Sequence, residues 1–146
     1  MIFVDANVFL RHLIQPATVH DRSNASRAAT LFRQAEAGEV EITTSEAILA
    51  EVVFILSDAR HYDVPRSVVQ LGIQSLLRAR GFKVIAKEIC LRALELWVAY
   101  PKLSFPDALG AAYAELRGYE LATFDVALSR VPGVTPHVFD SVPDVA

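Results

Sequence analysis

Cysteine is all but missing from this 146-residue chain: Cys90 stands alone, so there is no intrachain disulfide and no second thiol for a structural zinc site. Long apolar runs are missing as well. The richest stretch, Ala47 to Leu56, is broken by Glu51 and falls well short of the roughly 20 residues a membrane span requires. There is no basic excess. Lys and Arg number 14 against 17 Asp and Glu, and the resulting net charge of −3 excludes a partner held by a broad positive field. The four histidines, His12, His20, His61 and His137, lack metal-ligand spacing and read as surface residues. The N-terminus places Asp5 where a secretory leader needs cations and shows no apolar core of export length. The expectation is a cytoplasmic protein of a reducing compartment, neither secreted nor membrane-bound.

What the chain does have is apolar content. Hydrophobic residues make up 53% and charged residues 21%, which rules out low-hydrophobicity disorder and supplies a core. The length fits a single domain over residues 1–146, with no repeat, linker or low-complexity segment. A mean hydropathy of +0.32 on so small a domain predicts that some apolar surface is covered by another chain.

Ile2 to Val4 is β-branched and aromatic throughout, which predicts a strand buried on both faces of a parallel sheet. A helix is expected from Val8 to Ile14 before Pro16, and another from Ser23 to Ala37 stopped by Gly38. Glu41 to Thr43 reads as a weak strand; Thr43 and Glu46 have capping-box spacing ahead of a helix reaching Leu56. Pro65 to Ala79 predicts a helix with Pro65 in its first turn. Phe82 to Ala86 then reads as a strand, Lys87 to Ala99 as a helix, Ser104 to Leu116 as a helix closed by Gly118, and Leu121 to Phe124 as a strand. The Pro-rich tail from Pro132 to Ala146 is an edge strand around His137 to Phe139 or an irregular wrap. Strands alternating with helices predict a three-layer α/β/α domain with a mostly parallel central sheet, whose ligands sit beyond the carboxyl ends of the strands.

Four acids are placed to do chemistry there. Asp5 and Asp125 each follow a strand, and each also suits a helix N-cap. Asp107 lies in Ser104-Phe105-Pro106-Asp107, which is both a capping box and a first-turn carboxylate able to face a pocket. Glu51 is the sole charge in Ala47 to Leu56, with Ala47, Ile48, Phe54 and Ile55 as helical-wheel neighbours; a buried carboxylate there needs a cation, a donor or a metal. Singly, each has a structural explanation in a cap or an ion pair. Together they place like charges at one edge of the sheet, which requires a cation, and oxygen ligands without a Cys or His cluster suit Mg²⁺ or Mn²⁺. Such ions act on phosphates, which points to phosphodiester hydrolysis.

These residues resemble the PIN domains, and within them the VapC-type toxin ribonucleases of toxin–antitoxin pairs. The resemblance spans nearly the whole chain. It rests on Val4-Asp5-Ala6-Asn7, on Leu49-Ala50-Glu51-Val52-Val53, on Phe105-Pro106-Asp107-Ala108-Leu109 with Ala111-Ala112, and on Ala122-Thr123-Phe124-Asp125, in that order. It implies an endoribonuclease in which Asp5, Glu51, Asp107 and Asp125 hold Mg²⁺ or Mn²⁺, and a metal-activated water attacks in line to leave a 5′-phosphate and a 3′-hydroxyl. It further implies that Asn7 and Thr123 orient the acids, and that the protein is a homodimer inhibited by a small VapB-like antitoxin whose carboxy-terminal segment brings an Arg or Lys near them. The chain departs from the pattern at Ala6, where many relatives carry a hydroxyl, and at Phe124, where a polar residue is frequent.

Other readings are open at this point. A phospho-acceptor receiver domain would need adjacent acids after the first strand and a late Lys in an arrangement this chain lacks. A degenerate binding module would have lost one of the four acids, and a housekeeping RNA-processing nuclease would keep them all. Arg78, Arg80, Lys83 and Lys87 read as solvated helix ends rather than a basic rim. Cys90 reads as buried, and Trp97 and Tyr100 as core or interface residues.

Overall fold

Each strand of the protein is only two residues long, so pairing partners rather than strand propensity define the sheet. The computed structural model describes residues 1–141; Pro143 and the rest of the expected tail beyond Ser141 lie outside the described residues. β1 (Ile2–Phe3) runs parallel to β2 (Ile42–Thr43), pairing Ile2 with Ile42 and Phe3 with Thr43. On the other side of β2, Ile42 bridges Phe82 in parallel, through Ile42 N–H to the Gly81 carbonyl and Lys83 N–H to the Ile42 carbonyl. A second parallel pair joins β3 (Glu120–Leu121) to β4 (Thr135–Pro136).

All strand pairing is therefore parallel, as expected of an α/β chain, but among the described residues it forms two separate pairs rather than one central sheet. The strand expected over Phe82 to Ala86 contracts to the bridge at Phe82, and that over Leu121 to Phe124 shifts to Glu120–Leu121. Nor is the first strand buried on both faces. Ile2 is 42% and Phe3 59% exposed, while Val4 is 1% exposed, because β1 has a hydrogen-bonded neighbour on one flank alone among the described residues. The tail pairs at Thr135–Pro136, ahead of the expected His137 to Phe139.

The helices follow their caps. α1 (Ala6–Leu13) starts directly after Asp5, and α2 (Val19–Glu36) starts four residues before the expected Ser23 because the Thr18 hydroxyl accepts from Asp21 N–H. α3 (Glu46–Ser57) is capped by Ser45 rather than Thr43, which is spent in β2. α4 (Arg66–Leu77) has Pro65 as its N-cap rather than inside its first turn. α5 (Lys87–Ala99) has the expected bounds, and α6 (Phe105–Arg117) ends on Gly118 at φ 70°, a left-handed conformation that glycine adopts without a Cβ penalty. α7 (Val126–Ser129) is a single turn after Asp125.

One buried cluster takes residues from all seven helices, among them Phe9, Phe32, Leu49, Ile73, Leu94, Ala108 and Leu128. Trp97 and Cys90 are buried in it. Phe9 centres an aromatic group, 5.4 Å from Phe32 and 6.0 Å from Phe82. α5 and α6 make the most extensive helix contact, and α6 buries Ala108, Ala111 and Ala112 completely. Gly81 is what lets the Phe82 segment approach β2: a Cβ there would stand 2.2 Å from the Val40 carbonyl oxygen.

Candidate functional site

The carboxyl end of β1 is held in place by a buried hydroxyl. Thr44, 6% exposed, donates to the Val4 carbonyl at 2.9 Å and so fixes the residue immediately before Asp5 against the strand that leads into α3. Asp5 then turns the chain into α1, its Oδ1 accepting from Ala6 N–H at 2.8 Å. Asp125 performs the same service for α7, with Oδ1 accepting from Leu128 N–H at 3.2 Å. Its own N–H donates to the Thr123 hydroxyl at 3.0 Å. Asp107 completes a reciprocal capping box, Oδ2 accepting from Ser104 N–H at 3.0 Å while Ser104 Oγ accepts from Asp107 N–H at 3.2 Å.

In all three aspartates the cap engages one carboxylate oxygen, leaving the second for another partner. Capping and ligation are thus compatible rather than rival roles. Glu51 departs from expectation. It is exposed, not buried, because Ala47, Glu51 and Phe54 lie one turn apart on an outward face of α3, with Phe54 itself 52% exposed. The wheel neighbours are as expected, but nothing among the described residues covers that side, so the desolvation cost that would have demanded a partner is absent.

The elements carrying the acids adjoin one another. α1 packs on α3, α3 on α6, and α6 on β3, the strand that precedes Asp125. A second tie between α3 and α6 is the hydrogen bond from the Tyr113 hydroxyl to Glu46 Oε1, which together with burial pushes the phenol up to about 12. Among the described residues Asp21, Asp58, Glu88, Glu95 and Glu115 are each paired with an arginine, while Asp5, Glu51, Asp107 and Asp125 are paired with no cation, as is also true of Glu36, Glu39, Glu41, Glu46, Asp63 and Asp140. The donor chemistry fits a hard divalent ion, since every candidate ligand is a carboxylate oxygen. The side chains are not gathered, however: among the described residues no group of three or more His, Cys, Asp and Glu could hold a metal ion. Asn7 is exposed on a cavity lined by Arg11, Asn24 and Arg27, and among the described residues no hydrogen bond joins it to any of the four acids.

Thr44 and Ser45 were not among the residues the sequence singles out, though the run Thr43-Thr44-Ser45 between an apolar strand and an apolar helix is the signal for both. The remaining polar residues divide as follows. Arg78, Arg80 and Lys83 are exposed as expected, and Lys87 is half-buried, its pKa lowered by burial and by Lys83. His12 is half-buried rather than fully exposed; its ring lies 4.8 Å from that of Phe32, and burial lowers its pKa. No helix of the described residues is long and apolar enough to cross a membrane.

Parallel strand pairs flanked by helices define an α/β domain. The particular family follows from the sequence as a whole: the PIN domain model matches residues 2–134, and the chain belongs to that family. PIN domains are typically metal-dependent nucleases, and they generally use divalent metals. No curated protein matches the chain.

Proposed function

We propose that this PIN domain is a Mg²⁺- or Mn²⁺-dependent endoribonuclease and the toxin component of a type II toxin–antitoxin pair. The observation that carries the proposal is the match of the PIN domain model over residues 2–134, a span that holds all four carboxylates, three of them at helix starts with one oxygen outside the cap. Asp5, Glu51, Asp107 and Asp125 are the residues that would hold the metal. When bound, such an ion supplies positive charge at a phosphoryl oxygen and lowers the pKa of water. The protein's own part is positional. The three capping bonds fix the Cα of each aspartate at a helix start, Thr44 fixes the end of β1, and Thr123 fixes the turn into Asp125. Glu51, on the open face of α3, has no hydrogen bond of its own to break among the described residues.

The finer reading adds a three-layer α/β/α arrangement, a cytoplasmic location and a homodimer. Exposed Ile2 and Phe3 on the unpaired flank of β1 support a covered surface there. A VapB-like antitoxin would inhibit by placing a guanidinium or ammonium among the acids, competing with metal for oxygens that have no cation of their own. Incubating a mixed RNA pool with the purified protein, with and without Mg²⁺ or Mn²⁺, tests the reading. Cleavage confined to the metal-containing reactions, with 5′-phosphate ends, is expected; cleavage that persists in EDTA would sink it. Normal growth of cells overproducing the protein alone would remove the toxin assignment and favour a housekeeping nuclease.

A further inference from the structure

Next to the fourth acid stands an aromatic array that the fold and the proposed chemistry leave unused. Phe124 and Phe139 each lie three residues past the last paired positions of β3 and β4, Leu121 and Pro136, and the two side chains meet there. Their rings stack at 4.8 Å with 21° between planes. Behind them His137 meets the Phe139 ring edge-on at 5.1 Å. His137 is itself fixed twice, by Nδ1 against Glu120 Oε1 at 2.8 Å and by its N–H donating to the Leu121 carbonyl at 2.8 Å. The array is thus built from anchored parts, and it ends outward in Phe124, which is 89% exposed and directly precedes Asp125.

Single exposed apolar side chains need no explanation, but an almost fully exposed phenyl held parallel to a second ring presents a flat, oriented π-face. One phenyl ring offers at most about 200 Å², far below the roughly 1,200 Å² of a stable protein interface, while it matches the area of one base. Stacking is also a neutral contact, so the acids Glu120 and Asp125 beside the ring do not oppose it as they would oppose phosphate recognition.

Resting on the nuclease reading above, we infer that Phe124, braced by Phe139 and His137, is a positioning residue that stacks on an unpaired nucleobase of a single-stranded RNA substrate adjacent to the bond presented to Asp125. Base–aromatic stacking tolerates any base, so the contact orients the strand and excludes duplex without reading its sequence.

The test compares wild type with Phe124→Ala, Phe124→Leu and Phe124→Trp on a single-stranded RNA that the wild type cleaves. Phe124→Ala is expected to raise KM about tenfold and by more than kcat falls, Phe124→Trp to restore KM, and Phe124→Leu not to. A Leu variant as good as wild type would replace stacking by generic apolar contact and overturn the inference. So would loss of self-association in Phe124→Ala by sedimentation, which assigns the ring to a second copy of the chain. Quenching of Phe124→Trp fluorescence by a short oligouridylate in EDTA reads the stack without turnover. Quenching in a protein whose wild type cleaves nothing would end the nuclease reading and keep the stacking site; cleavage by wild type with an unchanged KM in Phe124→Ala would do the reverse.

Discussion

Carboxylates serve two different ends in this molecule, and the seam between α5 and α6 is the foil for the candidate site. Along the seam every acid has its cation. Arg92 grips Glu115 with two nitrogens at 2.9 and 3.1 Å and reaches Glu95 at 2.8 Å, while Arg117 meets Glu88 at 2.7 Å. Those bonds hold Arg92 and Arg117 above their ordinary pKa and Glu88 below its own. At the site the same residue types sit at helix starts, bonded to backbone amides and to no cation among the described residues. The seam uses charge to join two helices, whereas the site's aspartates each give one oxygen to a helix-start amide and leave the second available.

Breaking the site should have the largest effect. Asp5→Asn, Glu51→Gln, Asp107→Asn and Asp125→Asn are each expected to lower metal-dependent RNA cleavage by about 100-fold or more, with circular dichroism unchanged. Glu115→Gln, on the seam, should leave the rate near wild type. A site variant that cleaves normally would return that acid to a purely structural role.

Thr44→Val probes what lies beneath the site. It removes the hydroxyl from the Val4 carbonyl and is expected to cost about 1 kcal/mol in urea unfolding, together with a fall in cleavage from the displaced Asp5. Stability lost without any change in cleavage would separate Thr44 from the site.

Stability then reverses the order of the two regions. Glu115→Ala should cost roughly 1 kcal/mol, an effect that shrinks in high salt. In metal-free protein Asp5→Asn should be neutral or stabilising, because asparagine caps as well as aspartate and the substitution removes one of several like charges. Asp107→Ala, which breaks the capping box, should cost about 0.5–2 kcal/mol. No loss in that variant would mean the box contributes nothing in solution.

The smallest effect belongs to the tie between α3 and α6. Tyr113, raised to about 12 by the Glu46 hydrogen bond first and burial second, keeps its proton longer in the folded protein than in the unfolded chain. Its contribution is therefore complete below about pH 10 and is lost as pH rises toward the folded value. Absorbance titration should show one tyrosine ionising late, and Tyr113→Phe should remove that late step.

The comparison also explains what could be read from the residues alone. α5 was legible to the residue, since Pro101 lies just past its end, and α6 nearly so through Ser104 and Gly118. The start of α2 was hidden because Val19 to Arg22 has no apolar rhythm and only the Thr18 cap opens it. Two-residue strands depend on a partner far along the chain, which is why Phe82 to Ala86 looked like a strand and yields one bridge. The four acids could be named, but Glu51 was placed indoors because a helical wheel shows which residues share a face and not whether that face is covered. The caps at Asp5, Asp107 and Asp125 were each foreseen as alternatives to function, and local geometry leaves room for both.

The lone thiol has a practical consequence. Cys90 is fully buried in α5, and that burial, with Glu46 and Glu88 nearby, raises its pKa to about 11. At neutral pH it stays a protonated, inaccessible thiol, so the folded surface is chemically blank toward maleimides and iodoacetamides. A cysteine introduced at an exposed position would be the one group to take a dye, and the wild-type core need not be altered to follow the molecule by fluorescence.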